Sequence, residues 1–169
     1  EYSPFKLEMK EIEYTDIKPQ GRIYLSYLVN ELKPMIDLRF RTKTGKLDTA
    51  IMGSSMGGII SLYAGLKYPN VFGKVASVSG AYFISPESFY KFISHTKIDP
   101  ASYFYIDTGD QENALEDEHD YVKHNSAIYN FLSEKVKDTQ LDFEIIIGGQ
   151  HNEVSWAKRL PRIINKLFQ

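Results

Sequence analysis

Residues 49–60 constrain the fold more than any other stretch, because they predict a strand, a sharp turn and a helix in direct succession. An apolar run ends in the pattern Gly-x-Ser-x-Gly at residues 53–57, and small and apolar residues follow without a gap. Ser55 occupies the apex of the predicted turn, where a strained backbone would expose its Oγ at the edge of a sheet. Gly53 and Gly57 flank it, and we expect a Cβ at either position to collide with neighbouring backbone. The first backbone N–H of the helix, that of Met56, is expected to stabilise negative charge on a carbonyl oxygen.

The remainder of the chain alternates between short apolar runs and segments with helical spacing. Strands are predicted at 47–53, 74–80, 101–109 and 141–148, and helices at 21–40, 55–68, 86–95, 121–138 and 153–168. This alternation predicts an α/β fold in which helices cover both faces of a mainly parallel sheet. No repeat and no low-complexity linker interrupts the pattern, so residues 1–169 are predicted to form a single domain.

Local signals refine these predictions. Residues 1–20 are irregular, with a short extended piece at 6–14. Pro34 is expected to kink or divide the first helix. Ser85 is expected to cap the helix at 86–95, with Pro86 at its first position. The last helix is expected to bury one apolar side, formed by Trp156, Leu160, Ile163, Ile164 and Leu167.

A hydroxyl, a carboxylate and an imidazole follow three of the four predicted strands. Ser55 follows the first strand, Asp110 and Glu112 follow the third, and His151 follows the fourth. Because ligands bind outside the carboxyl ends of parallel strands, these groups are expected at one edge of the sheet. There His151 would take the proton of Ser55, and the acid would orient the imidazole. Asp107 is expected within the strand end, so Asp110 and Glu112 are the candidate acids. Spacing leaves the choice between them open.

Other candidate residues have a structural interpretation beside the functional one. Tyr82, Phe83 and Trp156 could line a substrate pocket, although aromatic residues at strand ends commonly belong to the core. The acidic run at residues 116–120 resembles a metal site, but a solvated helix start is the favoured interpretation. The sequence therefore predicts no metal and no cofactor. The remaining histidines are expected at the surface: His95, His119 and His124.

Composition narrows the possible partners. The net charge is −2 and cysteine is absent, which argues against nucleic acid, against an anionic membrane surface and against a thiolate nucleophile. No stretch has the length of a membrane-spanning helix. The first residues have neither the basic nor the apolar region of a signal peptide, which is compatible with a cytoplasmic protein or with an exported one after processing.

Four spaced motifs resemble one known family. They are Gly53-Ser54-Ser55-Met56-Gly57-Gly58, Glu31-Leu32-Lys33-Pro34, Asp107-Thr108-Gly109-Asp110-Gln111-Glu112, and Gly149-Gln150-His151-Asn152-Glu153 with Trp156. With this spacing along the chain, they are similar to the esterase D-like "putative esterase" family of α/β-hydrolases. That family includes feruloyl, acetylxylan and siderophore esterases, S-formylglutathione hydrolases and mycolyltransferases.

The resemblance implies an α/β-hydrolase-type three-layer sandwich and a serine esterase. The family nucleophile matches Ser55, its histidine matches His151, and the usual position of its acid selects Glu112 over Asp110. The substrate it implies is a small-molecule or carbohydrate-linked ester. The alternatives are an acyltransferase of the same fold and a non-catalytic α/β-hydrolase-like binding domain.

One departure from the family concerns the residues before the nucleophile. Family members have further strands there, and a loop after one of them supplies a second oxyanion donor. Only 54 residues precede Ser55 here, without a Gly-rich loop after a buried strand. We therefore expect this chain to correspond to the C-terminal portion of a longer hydrolase. The strand at 47–53 is expected to have a free edge, either exposed or paired with a partner such as a second copy.

Overall fold

The computed structural model describes residues 2–8, 18–112 and 120–169. Its strands are β1 (Ala50–Ser54), β2 (Lys74–Val78), β3 (Tyr103–Gly109) and β4 (Leu141–Ile146). Its helices are α1 (Gly21–Tyr27), α2 (Lys33–Arg39), α3 (Met56–Lys67), α4 (Pro86–His95), α5 (Tyr121–Ser133) and α6 (Glu153–Phe168). Short 3-10 turns lie at Lys46–Asp48, Tyr82–Ile84 and Asp138–Gln140. The extended piece predicted at 6–14 lies mostly outside the described residues.

The four strands form one parallel sheet in the order β1-β2-β3-β4. Each strand pairs with its neighbour in sequence, and each connection contains a helix, as the alternating pattern predicts. Because all strands run the same way, the residues that follow them meet at one edge of the sheet. The α/β class and the parallel sheet are thus confirmed.

Helices pack on both faces of the sheet and give three layers. On one face, α3 and α5 bury a large apolar cluster that includes Leu62, Val75 and Ile106. On the other face, α6 packs Ile163 and Leu167 against Tyr105 and its neighbours. Because both faces are covered, the central strands are apolar on both sides.

The outer edge of β1 has no strand partner among the described residues. Met52, in the middle of this strand, is 39% exposed. The free edge expected from the sequence is therefore present in the described part of the chain. Within that part, none of the helices combines the length and the apolar character needed to cross a bilayer.

Several boundaries differ from the predictions for local reasons. The first strand starts later than 47, because residues Lys46–Asp48 form a 3-10 turn. The second strand ends at Val78, because Ser79 has a positive φ of 48° and turns the chain out of the sheet. The first helix is divided as expected, by a π-helical turn at Leu28–Leu32 just before Pro34. A wider turn accommodates a proline, which has no backbone N–H to donate.

The predicted start of α4 is confirmed, but the side-chain cap is not formed. Ser85 occupies the N-cap position and Pro86 the first helical position, whereas the buried Ser85 Oγ has no hydrogen-bond partner among the described residues. The carboxylate of Glu8 accepts instead from the backbone N–H groups of Glu87 and Ser88, at 3.0 and 3.2 Å. A distant segment thus satisfies the free donors at this helix start.

The predicted buried side of α6 is correct only in part. Ile163 and Leu167 are buried, but Leu160 and Ile164 are 38% and 44% exposed. The buried stripe instead includes Arg159. It is shifted because the guanidinium has buried carboxylate partners at the edge of the sheet.

Candidate active site

Ser55 lies at a strained turn between β1 and α3. Its backbone has φ 55° and ψ −118°, a conformation that residues with a Cβ rarely adopt. The turn is held by β2 and the residues after it, since Ser55 N–H donates to the Val78 carbonyl (2.9 Å) and the Ser55 carbonyl accepts from Ala81 N–H (3.2 Å). These two hydrogen bonds hold the Ser55 backbone in this conformation although the conformation is strained.

The glycines around Ser55 differ in what they require. A Cβ on Gly53 would lie 2.6 Å from the backbone of Gly57, so this strand can approach α3 only without a side chain. A Cβ on Gly57 would meet nothing within 4 Å in the described structure, so the predicted collision at this position is wrong. The second close approach belongs to Gly58, whose Cβ would lie 2.9 Å from Ser77 Oγ.

His151 reaches Ser55 from the loop after β4. Its Nε2 lies 3.0 Å from Ser55 Oγ, and its Nδ1 lies 3.3 Å from Glu112 Oε2. The imidazole thus bridges a hydroxyl and a carboxylate that are far apart in sequence. The structure brings together all three residues that the resemblance selected.

Glu112 is buried, and its two carboxylate oxygens have different partners. Oε1 accepts from Ser79 Oγ (2.5 Å), Gly109 N–H (2.7 Å) and Arg159 Nη2 (3.2 Å), whereas Oε2 faces His151 and accepts from Thr108 Oγ1 (3.4 Å). Burial alone would raise the pKa of Glu112. The hydrogen bonds from His151, Ser79 and the Gly109 N–H, together with the Arg159 charge, outweigh burial and lower this pKa below its usual value.

Asp110, the alternative acid, lies away from His151. Its Oδ1 accepts from the Gly148 N–H at 2.7 Å, and its own N–H donates to the Ile146 carbonyl at 3.1 Å. Asp110 therefore ties the loop after β3 to the loop after β4. The structure brings Glu112, and not Asp110, to the imidazole.

Asp107 lies within β3, as expected, and is fully buried. Its carboxylate accepts from Arg159 Nη1 at 2.8 Å and from Tyr105 OH at 2.9 Å. Burial raises the pKa of Asp107 to about 6, against the opposing effects of the Arg159 charge and the tyrosine hydrogen bond. Sequence reasoning missed Arg159, although a cation in the apolar stripe of α6 is a signal that could have found it.

The three aromatic residues proposed to contact substrate have different positions. Tyr82 is fully buried and its hydroxyl lies 2.7 Å from Ser77 Oγ, so it belongs to the core and offers no surface to a substrate. Trp156 packs edge-on against His151 with ring centroids 4.8 Å apart, and its Nε1 donates to Ser79 Oγ. Phe83 is half-buried and packs edge-on against the ring of Tyr121.

Tyr121 is a site residue that sequence reasoning missed. Its hydroxyl lies 3.2 Å from His151 Nε2, and the two rings are 4.3 Å apart. Burial raises the pKa of Tyr121 to about 12, so the hydroxyl carries its proton at neutral pH. A tyrosine that starts a helix after an acidic run carries no sequence signal for such a position.

Of the other candidates, Met56 adjoins this cluster through its backbone, whereas His95 and His124 do not join it. Met56 starts α3 directly after Ser55, where a backbone N–H has no acceptor in a preceding helical turn. His95 is exposed, and His124 is half-buried beside Tyr90. His119 and most of the acidic run at 116–120 lie outside the described residues. Within the described ranges, no group of three or more histidine and carboxylate side chains could hold a metal ion.

The fold and the site together define a class. A parallel sheet that delivers a serine at a strained strand-to-helix turn, then a carboxylate, then a histidine to one edge is the arrangement of the α/β-hydrolase type. The order of the three residues along the chain is also that of this type.

Comparison with known proteins supports this class and identifies the family. The chain belongs to the family described as "Putative esterase", whose family model matches residues 2–167. That description names the class of carboxylic ester hydrolases.

Relatives and solved structures are longer than this chain. It is 28% identical to the uncharacterized protein YbbA of Bacillus subtilis over 99% of this chain and 68% of YbbA. It is 35% identical to an endo-1,4-beta-xylanase/feruloyl esterase of Xylanibacter ruminicola, over 84% of this chain and 17% of that protein. The enterobactin esterase of Shigella flexneri superimposes with a TM-score of 0.72 at 22% identity, over 90% of this chain and 42% of the esterase. At this identity the structural match supports the fold.

Proposed function

We propose that this chain carries the catalytic residues of a serine carboxylic-ester hydrolase, with Ser55 as nucleophile, His151 as base and Glu112 as acid. The observation that supports the proposal is the hydrogen-bonded series from Ser55 Oγ through the His151 imidazole to Glu112 Oε2. Membership of the esterase family supports the same reaction class.

The proposed reaction begins with transfer of the Ser55 proton to His151 Nε2 as Oγ attacks the ester carbonyl carbon. The Met56 N–H would stabilise the negative charge on the carbonyl oxygen. The imidazolium would then donate its proton to the leaving alkoxide, which departs and leaves an acyl group on Ser55. A water molecule, deprotonated by His151, would hydrolyse this acyl-enzyme and return the proton to Ser55.

Glu112 would remain ionised throughout this cycle. Its lowered pKa keeps the carboxylate charged at neutral pH, where it would stabilise the imidazolium and hold Nδ1 protonated. The names of the relatives suggest the substrate: one is a feruloyl esterase and another an enterobactin esterase. We propose that the substrate is a carbohydrate-linked or small-molecule ester, with Phe83 and Trp156 beside its acyl group.

The first experiment is intact-mass analysis after treatment with a fluorophosphonate, beside Ser55→Ala as control. We expect one phosphonyl group per wild-type chain and none on the variant. Absence of labelling in the wild type would favour the non-catalytic domain. For a labelled chain, p-nitrophenyl acetate is added together with a sugar and the products are identified by mass spectrometry. Both reactions release p-nitrophenol, but hydrolysis yields acetate and only a transferase yields an acetylated sugar.

A further inference from the structure

Arg159 is a buried cation that the proposed reaction does not use. It lies in α6, is 5% exposed, and its guanidinium reaches the edge of the sheet next to Glu112. A buried guanidinium is costly unless its donors are paired. Here Nη1 donates to Asp107 Oδ1 (2.8 Å), and Nη2 donates to Glu112 Oε1 (3.2 Å) and Ser79 Oγ (3.3 Å).

Two contacts together restrict the plane of the guanidinium: Nη1 donates to Asp107 Oδ1 (2.8 Å) and Nε donates to the Ser155 carbonyl (3.3 Å). Asp107 is a residue of β3, and its Oδ2 accepts from Tyr105 OH. The Asp107 carboxylate therefore cannot turn away from Arg159 without losing that bond. Because the guanidinium is planar, restricting Nη1 and Nε also restricts the direction of Nη2. The strand thereby sets the position from which α6 donates to Glu112.

The two carboxylate oxygens of Glu112 have different hydrogen-bond partners. Three donors converge on Oε1, namely Ser79 Oγ, Gly109 N–H and Arg159 Nη2. Oε2 is turned toward His151 and also accepts from Thr108 Oγ1 at 3.4 Å. Of these donors only Arg159 is charged, and charge-assisted hydrogen bonds are about twice as strong as neutral ones.

We infer that Arg159 is a positioning residue, anchored by Asp107, that holds the Glu112 carboxylate with Oε2 facing His151 Nδ1. The inference rests on the proposed function of Glu112 and names the residue that sets its geometry. A lysine would not reproduce this geometry, because its three N–H donors lie on one rotatable nitrogen, whereas the guanidinium holds two nitrogens in a rigid plane. Arg159 would therefore be required for its shape as well as for its charge.

The competing interpretation is that the Arg159–Asp107 ion pair only fastens α6 to the sheet. The double variant Asp107→Asn/Arg159→Met separates the two interpretations. It removes one negative and one positive charge together, and the buried Glu112 carboxylate keeps Ser79 Oγ and the Gly109 N–H as donors. A thermal melt establishes that the variant is folded before activity is measured.

For a positioning residue, we expect the double variant to lose about 10- to 100-fold in kcat on p-nitrophenyl acetate, with KM nearly unchanged. Arg159→Lys keeps the positive charge, and we expect it to show a similar loss of kcat relative to wild type. A folded double variant with wild-type kcat would overturn the inference, and so would full activity of Arg159→Lys. If the double variant does not fold, the lysine variant alone decides.

A second measurement does not depend on turnover. The proton on His151 Nδ1 that bonds to Glu112 should give a low-field ¹H resonance in Ser55→Ala, and we expect Arg159→Lys in that background to shift or lose it. An unchanged resonance would overturn the inference even in an inactive chain. If the wild type is neither labelled by fluorophosphonate nor active while the resonance responds to Arg159, the proposed function fails and the positioning role stands.

Discussion

Replacing Ser55 with glycine should yield a more stable protein than replacing it with alanine. Both substitutions remove Oγ and its hydrogen bond to His151, so they differ only at Cβ. At φ 55° and ψ −118°, a residue with a Cβ is strained by about 1–3 kcal/mol. Glycine relieves this strain but costs about 0.5–1 kcal/mol through the greater freedom of the unfolded chain. The net difference in unfolding free energy should favour Ser55→Gly by about 1 kcal/mol.

Equilibrium unfolding in urea, extrapolated linearly to water, measures this difference. In thermal melts, about 1 kcal/mol corresponds to a Tm higher by roughly 2–4 °C for a chain of this size. Ala157→Gly, at an exposed position inside α6, is the control and should lose about 1 kcal/mol relative to wild type. Equal stability of the two Ser55 variants, or a more stable alanine variant, would refute the strain at this turn.

Three further predictions concern the surroundings of the site. Gly53→Ala should destabilise the protein by about 2 kcal/mol or more in urea unfolding, because its Cβ would lie 2.6 Å from the Gly57 backbone, whereas Gly57→Ala should be neutral or stabilising. Glu112→Gln should lower kcat at least about 100-fold in an ester assay, whereas Asp110→Asn should change it little; similar losses in both would contradict the assignment of the acid. Burial raises the pKa of Asp107 to about 6, which means that the folded state favours the protonated carboxyl. The stabilisation from this protonation is fully present below about pH 4 and is lost as pH rises through 6. The unfolding free energy of wild type relative to Asp107→Asn should therefore fall by about 3 kcal/mol between pH 3.5 and 7, and a difference independent of pH would contradict this.

The architecture was predictable because each element has its own periodic signal. Alternation of apolar runs and helical spacing identified the four strands, and Pro34 marked the division of the first helix. The errors lie where a distant group decides the local structure. The Glu8 carboxylate, and not the Ser85 hydroxyl, accepts the free N–H groups at the start of α4, and buried carboxylates pair with Arg159 in the stripe expected to hold Leu160. Glu8 lies far from α4 in the sequence, and the two carboxylates lie far from Arg159, so local patterns contain no sign of either contact.

The candidate site was predictable to the extent that sheet geometry determines it. Ser55 and His151 each follow a strand directly, and parallel strands bring such residues to one edge. Spacing alone could not choose between Asp110 and Glu112, since both lie in the same loop, and the choice depended on the family resemblance. Tyr121 could not be anticipated, because its contact with His151 depends on how α5 packs.

The order of the strands also determines when during folding the site can exist. Each strand pairs with the one before it in sequence, so the sheet can be extended one strand at a time from β1. Ser55 belongs to the first of these steps, but its imidazole partner lies 96 residues later, beyond β4. A nascent chain that ends before β4 therefore contains the serine turn but not the imidazole that contacts it. The proposed pair of nucleophile and base needs the segment after the last strand of this sheet.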